Sequence, residues 1–184
     1  MRGIVLIVLC ITPLAAGADD ALWGRIAAEE NIVVLTRHMQ SAGTNPLAWD
    51  ESGACRGEHV LTPQGRAEAA TLGRMFREHS IRPVVVSSPM CRCVETAKIA
   101  FGEAKVDPAL REIASGDAAR TREFNQIASA ILARHRGPAP VVFVSHRPNI
   151  DQLTMELVDE GELLVGKIDG EGRVEVIGRM SLAR

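Results

Sequence analysis

The segment Val33-Val34-Leu35-Thr36-Arg37-His38-Met39 constrains this chain more than any other. Apolar and β-favouring residues run without alternation, which predicts a strand buried on both faces. The run ends in a guanidinium and an imidazole. Core strands do not ordinarily end this way, because a buried charge needs a partner. The pattern fits a sheet edge that holds an anion. A second apolar run, Val84-Val85-Val86, leads into Ser87-Ser88-Pro89-Met90-Cys91-Arg92. A third, Val141-Val142-Phe143-Val144-Ser145, ends in His146.

Amphipathic segments separate the runs. Thr62-Pro63 reads as a helix start, Thr as N-cap and Pro in the first turn, with Ala69, Leu72 and Phe76 at helical spacing up to about His79. Ser87-Ser88-Pro89 reads as a second start of the same kind, for a helix reaching Phe101. Residues 117–136 form a third helix with an apolar stripe of Phe124, Ile127, Ile131 and Leu132, and residues 149–158 a fourth. A short helix over 21–30 precedes the first strand, and a hairpin around Asp169-Gly170-Glu171-Gly172 closes the chain. The alternation defines an α/β protein, a three-layer α/β/α sandwich on a mainly parallel sheet. In such sheets ligands bind at the carboxyl ends of the strands. Arg37, His38, Arg92 and His146 therefore converge on one rim.

Composition narrows the function classes. The 184 residues carry a net charge of −2, four phenylalanines, two tryptophans and no tyrosine. Neither a basic track nor an aromatic platform for nucleic acid is present. The N-terminus stands apart. Arg2, an apolar run over 4–14 and Ala16-Gly17-Ala18 have the layout of a signal peptide cleaved after Ala18. The run is shorter than the ~20 residues a membrane span needs. The expected organisation is a signal peptide over 1–18 and a single domain over 19–184, periplasmic or secreted, with no membrane span after cleavage. Export favours a disulfide. Of the three cysteines left, Cys55 is expected to pair with Cys91 or Cys93, Cys91 being the first choice; a Cys-x-Cys metal site lacks a second ligand pair.

Two guanidinium forks suit a phosphate dianion. A neutral imidazole can attack phosphorus and form a covalent phosphoenzyme. A second histidine, kept protonated by the anion, and the arginines stabilise the transferring oxygens. The leaving group needs a proton, and Glu112 in Ala109-Leu110-Arg111-Glu112 is the candidate donor.

Thr36-Arg37-His38, then Ser87-Ser88-Pro89-Met90-Cys91-Arg92 with Glu95-Thr96-Ala97, then Ser145-His146, together with Leu61-Thr62-x-x-Gly65, resemble the signatures of the histidine phosphatase superfamily. The resemblance implies the phosphoglycerate mutase-like fold and the small branch. It implies His38 as the phosphorylated nucleophile, Arg37, Arg92 and His146 as the rest of the phosphate pocket, and no metal or cofactor. Exported members with a cysteine pairing near the second motif resemble the lipopolysaccharide heptose-phosphate phosphatase group, which makes an envelope sugar phosphate the candidate substrate.

The chain departs from the pattern in two places. Met39-Gln40-Ser41 follows His38 where small-branch enzymes carry an acid, and Arg147-Pro148-Asn149-Ile150 follows His146. Asn149 is a candidate substrate contact. Specificity is expected in the loop over 40–61 and the segment over 107–122, and His59, His79 and His135 read as surface residues. The partner is a small phosphorylated substrate, and no oligomeric state is specified. The alternative is a catalytically weak phospho-ligand binding protein of the same fold.

Overall fold

The computed structural model describes residues 16–135 and 137–182. The apolar run of the expected signal peptide lies outside them. Helix α1 (Ala16–Ala28) begins at the small-residue site rather than at residue 21. Strand β1 (Ile32–Arg37) follows, and its first five residues are buried. Its side chains alternate between two cores. Ile32 and Val34 face one side, with Trp23, Ala69, Leu72, Phe76 and Ala97. Val33 and Leu35 face the other, with Phe124, Leu132, Phe143 and Ile150. Continuous hydrophobicity in the strand thus reflects helices on both faces of the sheet.

A loop follows, pinched by the two-residue strands β2 (Ser41–Ala42) and β3 (Val60–Leu61). This antiparallel pair is the only regular structure in the 40–61 segment among the described residues. Helix α2 (Pro63–Glu78) starts as expected, with the Thr62 hydroxyl accepting from Gly65 N–H. Strand β4 (Val84–Ser87) leads to helix α3 (Cys91–Phe101). That helix begins later than the Ser-Pro signal suggested. Met90 holds the N-cap position without a side-chain cap. The Ser88 hydroxyl is engaged elsewhere, with His146 at 2.8 Å.

Beyond α3 come β5 (Lys105–Val106), a 3₁₀ turn over Pro108–Leu110, and α4 (Ala118–Arg134), capped by Asp117. Strand β6 (Val141–Ser145) and helix α5 (Arg147–Thr154) follow. Helix α5 starts and stops earlier than expected, because Met155 turns left-handed at φ 58°. Strands β7 (Glu162–Ile168) and β8 (Val174–Ser181) form the closing hairpin.

The six-stranded sheet has the order β5-β4-β6-β1-β7-β8. Strands β5, β4, β6 and β1 are parallel, and β7 and β8 are antiparallel additions. The three strands that carry the motifs are therefore adjacent, with β6 in the middle. Register places Arg37 beside Ser145 and Ser87 beside Val144. All three motif ends share one rim.

Helices α2 and α3 pack closely, at a contact that only glycine permits. A Cβ on Gly73 would fall on the backbone carbonyl of Ala100. Neither backbone can yield without shifting a helix. Gly73→Ala should cost about 1–3 kcal/mol through overpacking. The check is a lowered urea midpoint with an unchanged m-value; an unaltered midpoint would show that the helices separate freely.

Candidate active site

Residue placement at the rim starts from backbone. His38 N–H donates to Ser145 O at 3.0 Å, which extends the β1–β6 ladder by one step beyond the strand. Met39 N–H donates to the Thr96 hydroxyl at 3.1 Å, and that hydroxyl donates to Arg92 O at 2.7 Å. Thr96 thereby ties the end of β1 to the first turn of α3. Ring centroids of His38 and His146 lie 5.5 Å apart.

Hydrogen bonding assigns the proton on each ring. His38 Nδ1 lies 2.9 Å from Met39 O, which can only accept. Nδ1 therefore carries the hydrogen, and the lone pair is on Nε2. For His146, Nδ1 lies 3.2 Å from Arg92 Nη2, which can only donate. The hydrogen of His146 is then on Nε2, which donates to Ser88 Oγ at 2.8 Å. Burial holds both rings neutral. It pushes His38 down to about 3, against the backbone bond from Met39, and Arg92 and Arg37 push it further down. His146 is driven well below the ordinary range, by burial first and then by Arg92. In the free site a fully buried ring beside two guanidiniums does not hold a proton; the expectation of a second histidine kept protonated by the anion concerns the phosphate-bound site.

Arg92 is a charged side chain with only 1% exposure. Its Nη2 shares two hydrogens among Pro46 O at 2.9 Å, His146 Nδ1 and Glu112 Oε2. Its Nη1 is buried and has no partner. Arg37 makes a longer pair with Glu160, at 3.5 Å, while its Nε is buried and also without a partner. One site thus contains two orphaned guanidinium N–H groups.

Glu112 lies within this group, 3.6 Å from His146 Nδ1. Burial pushes its carboxyl up, and Arg92 opposes the shift. Its position is fixed by Asn149. The Asn149 amide oxygen accepts from Ile113 N–H at 3.1 Å, and its amide nitrogen donates to Arg111 O at 3.0 Å. Both polar ends of Asn149 grip the backbone on either side of Glu112. The expected substrate contact at Asn149 is corrected accordingly: its amide is occupied, and the residue positions the Glu112 segment. Arg147, the first residue of α5, pairs loosely with Asp159 at 3.8 Å.

The structure brings together Arg37, His38, Arg92, Glu112 and His146. Sequence reasoning missed the role of Ser88, although a polar residue at a buried strand end was a usable signal. It missed Glu160, which lies 123 residues from Arg37 and carried no signal at all. His59 is not a plain surface residue, since its Nε2 is buried. Cys55 and Cys91 form the disulfide, with Cα atoms 5.8 Å apart. Cys93 is free and buried, 3.5 Å from His146 Nε2, and burial pushes its thiol up to about 12, so it is no nucleophile. Among the described residues no His/Cys/Asp/Glu group has a metal-holding arrangement, and no helix is long and apolar enough to cross a membrane.

Fold and site define the class. The model of the histidine phosphatase superfamily (branch 1) matches residues 33–129, and the chain belongs to that superfamily. Solved structures with the same fold include the protein histidine phosphatase SixA complexed with tungstate, at 19% identity and TM-score 0.56, covering 82% of this chain and 96% of that one. They include the product of the open reading frame Rv3214 from Mycobacterium tuberculosis, at 19% identity and TM-score 0.61, with 80% and 96% covered. A third is phosphoserine phosphatase from Entamoeba histolytica in complex with 3-phosphoglyceric acid, at 15% identity and TM-score 0.54, with 82% and 96% covered. No curated protein matches the chain in sequence.

The neutral rings set a pH dependence. Unfolding restores each histidine to an ordinary value near 6.5. As pH falls below that, the unfolded chain binds protons that the folded chain refuses, so stability declines. For His38 this continues down to its folded value of about 3. Each such histidine contributes at most about 1.4 kcal/mol per pH unit. Urea unfolding at pH 7 and pH 5 should show a smaller loss for His38→Asn than for the wild type. Equal losses would mean that His38 titrates alike in both states.

Proposed function

We propose that the protein is a phosphomonoester hydrolase that works through a phosphohistidine at His38. The supporting observation is the pair of buried, unpartnered N–H groups, Arg37 Nε and Arg92 Nη1, beside an imidazole whose Nε2 carries a lone pair. Buried donors without acceptors are costly in a finished core, at about 1–3 kcal/mol each. A phosphate oxygen that accepts from them removes that cost.

In the first step the His38 Nε2 lone pair forms a bond to phosphorus. The phosphorus–oxygen bond to the leaving group breaks, and the departing oxygen takes the Glu112 proton. Arg37 and Arg92 bind the equatorial oxygens, where charge is greatest. His146 orients Arg92 through Nδ1. A bound dianion also draws the shared guanidinium away from Glu112 and favours its protonated form. In the second step Glu112 removes a proton from water, the water oxygen bonds to phosphorus, and the electron pair returns to Nε2. No metal or cofactor enters the scheme.

A raised, positioned carboxyl favours turnover over mere retention of a phospho-ligand. We further propose export of the mature domain, residues 19–184, to the periplasm or beyond, with a small phosphorylated molecule such as an envelope sugar phosphate as substrate. The Cys55–Cys91 bridge supports this, since such bonds persist in oxidising compartments.

Steady-state kinetics with p-nitrophenyl phosphate test the reading. Wild-type turnover should vanish in His38→Ala. Glu112→Gln should still release a first-turnover burst of p-nitrophenol, whose departure needs no proton, and then turn over slowly, whereas its first turnover on an alkyl phosphate should be about 10²–10⁴-fold slower. An inactive wild type that still binds phosphate would replace the hydrolase with a binding protein.

A further inference from the structure

The alcohol half of the substrate has no assigned place in the scheme above, and the structure holds a cavity for it. This cavity of about 330 Å³ is lined by Leu47, Trp49, Met90, Arg111 and Glu112 among others. Glu112 connects it to the reacting centre. Its carboxylate lies 3.6 Å from His146 Nδ1, and the ring centroids of His146 and His38 are 5.5 Å apart. The Glu112 side chain keeps 20% exposure, so a ligand in the cavity can touch it. A leaving oxygen that takes the Glu112 proton brings the atoms attached to it against the same carboxyl. The rest of the alcohol therefore enters this cavity.

Arg111 gives the cavity its open charge. Its guanidinium lies over the Trp49 ring, 5.0 Å from the centroid. Stacking uses the face of the fork and leaves the N–H groups at its edge free to donate. The other charged side chains of the lining are committed. Glu112 pairs with Arg92, Arg120 with Glu123 and the Ala109 carbonyl, and Asp117 caps α4. Among the described residues Arg111 joins no ion pair, and both it and Trp49 are only half-buried. The stack is anchored on both sides. Arg111 O accepts from Asn149, in the same grip that positions Glu112. Trp49 precedes Asp50, whose N–H donates to the buried Glu58 carboxylate at 2.7 Å. Glu58 in turn accepts from Cys91 N–H at 2.7 Å, beside the Cys55–Cys91 bridge. A cation held in this way loses little freedom when a ligand arrives.

We infer that this cavity is the leaving-group subsite and that Arg111, stacked on Trp49, selects phosphate monoesters whose alcohol carries a second anionic group. The inference rests on the hydrolase reading of the site and adds the substrate class to it. A carboxylate and a further phosphate share the required chemistry, since both accept from a guanidinium edge. A neutral alcohol leaves that edge without an acceptor. Among sugar phosphates the subsite favours acidic or doubly phosphorylated ones.

The experiment compares kcat/KM for butanediol monophosphate, the phosphate ester of hydroxybutyrate and butanediol bisphosphate. The departing alkoxides are alike, and the far ends are a hydroxyl, a carboxylate and a phosphate. Ratios between esters do not depend on the fraction of protein folded. In the wild type an anionic end should raise kcat/KM at least about tenfold over the hydroxyl end, and the end that does so identifies the group. Arg111→Met keeps a side chain on Trp49 without the charge, and there the ratio should fall towards one, chiefly through KM. Arg111→Lys should recover part of the preference. Cleavage of p-nitrophenyl phosphate alone, a wild-type ratio near one, or a ratio that Arg111→Met leaves intact overturns the subsite and leaves the hydrolase standing. A wild type inactive on all these esters removes the hydrolase itself, and the inference with it.

Discussion

The Arg92 guanidinium governs the site. A fully buried cation is costly unless polar groups gather around it. Here they gather on one nitrogen. Nη2 has Pro46 O, His146 Nδ1 and Glu112 Oε2 around it, whereas Nη1 has none. This asymmetry orients the open side of the fork. Burial first, and then the same charge, keep His146 neutral, and the guanidinium directs its tautomer. It draws Glu112 inward, where burial raises the carboxyl. Loops from three parts of the chain thus converge because one positive charge must be compensated.

The sheet makes that convergence possible. Strands β4, β6 and β1 are neighbours and parallel, so their carboxyl ends share an edge. The first turns of α3 and α5 begin at that edge. Thr96 links α3 to the end of β1, and Asn149 links α5 to the Glu112 segment. Each helix therefore has two tasks: its apolar face fills a core, and its first residues fix the geometry of the rim. Most of the rim's polar groups are held by backbone or by another side chain, an arrangement that limits reorganisation during reaction.

Much of this was legible in the chain. Unbroken apolar runs at residues 33–35, 84–86 and 141–144 gave the buried strands, and the residues that end them gave the site. Thr62-Pro63 gave a helix start because a cap is a local device. The same signal misled at Ser87-Ser88-Pro89, where the hydroxyl serves His146, a residue 58 positions away from Ser88. Asn149 misled for a related reason. Its place beside His146 suggested the pocket, but the partners that occupy its amide are set by tertiary packing. The neutral state of His146 in the free site was not legible either, since it depends on complete burial next to Arg92. His59 looked like a surface residue because its environment arises from a loop with no period of its own. Local chemistry was readable, whereas partners distant in sequence were not.

The central claim is that the His38 Nε2 lone pair attacks phosphorus. It is tested most directly by rapid quenching of the enzyme with phosphorylated substrate, followed by phosphopeptide mapping and ³¹P NMR. The account predicts an acid-labile, base-stable phosphoryl group on Nε2 of His38, because Nδ1 donates its hydrogen to Met39 O. Phosphate on Nδ1, or on a serine or cysteine instead, would contradict it.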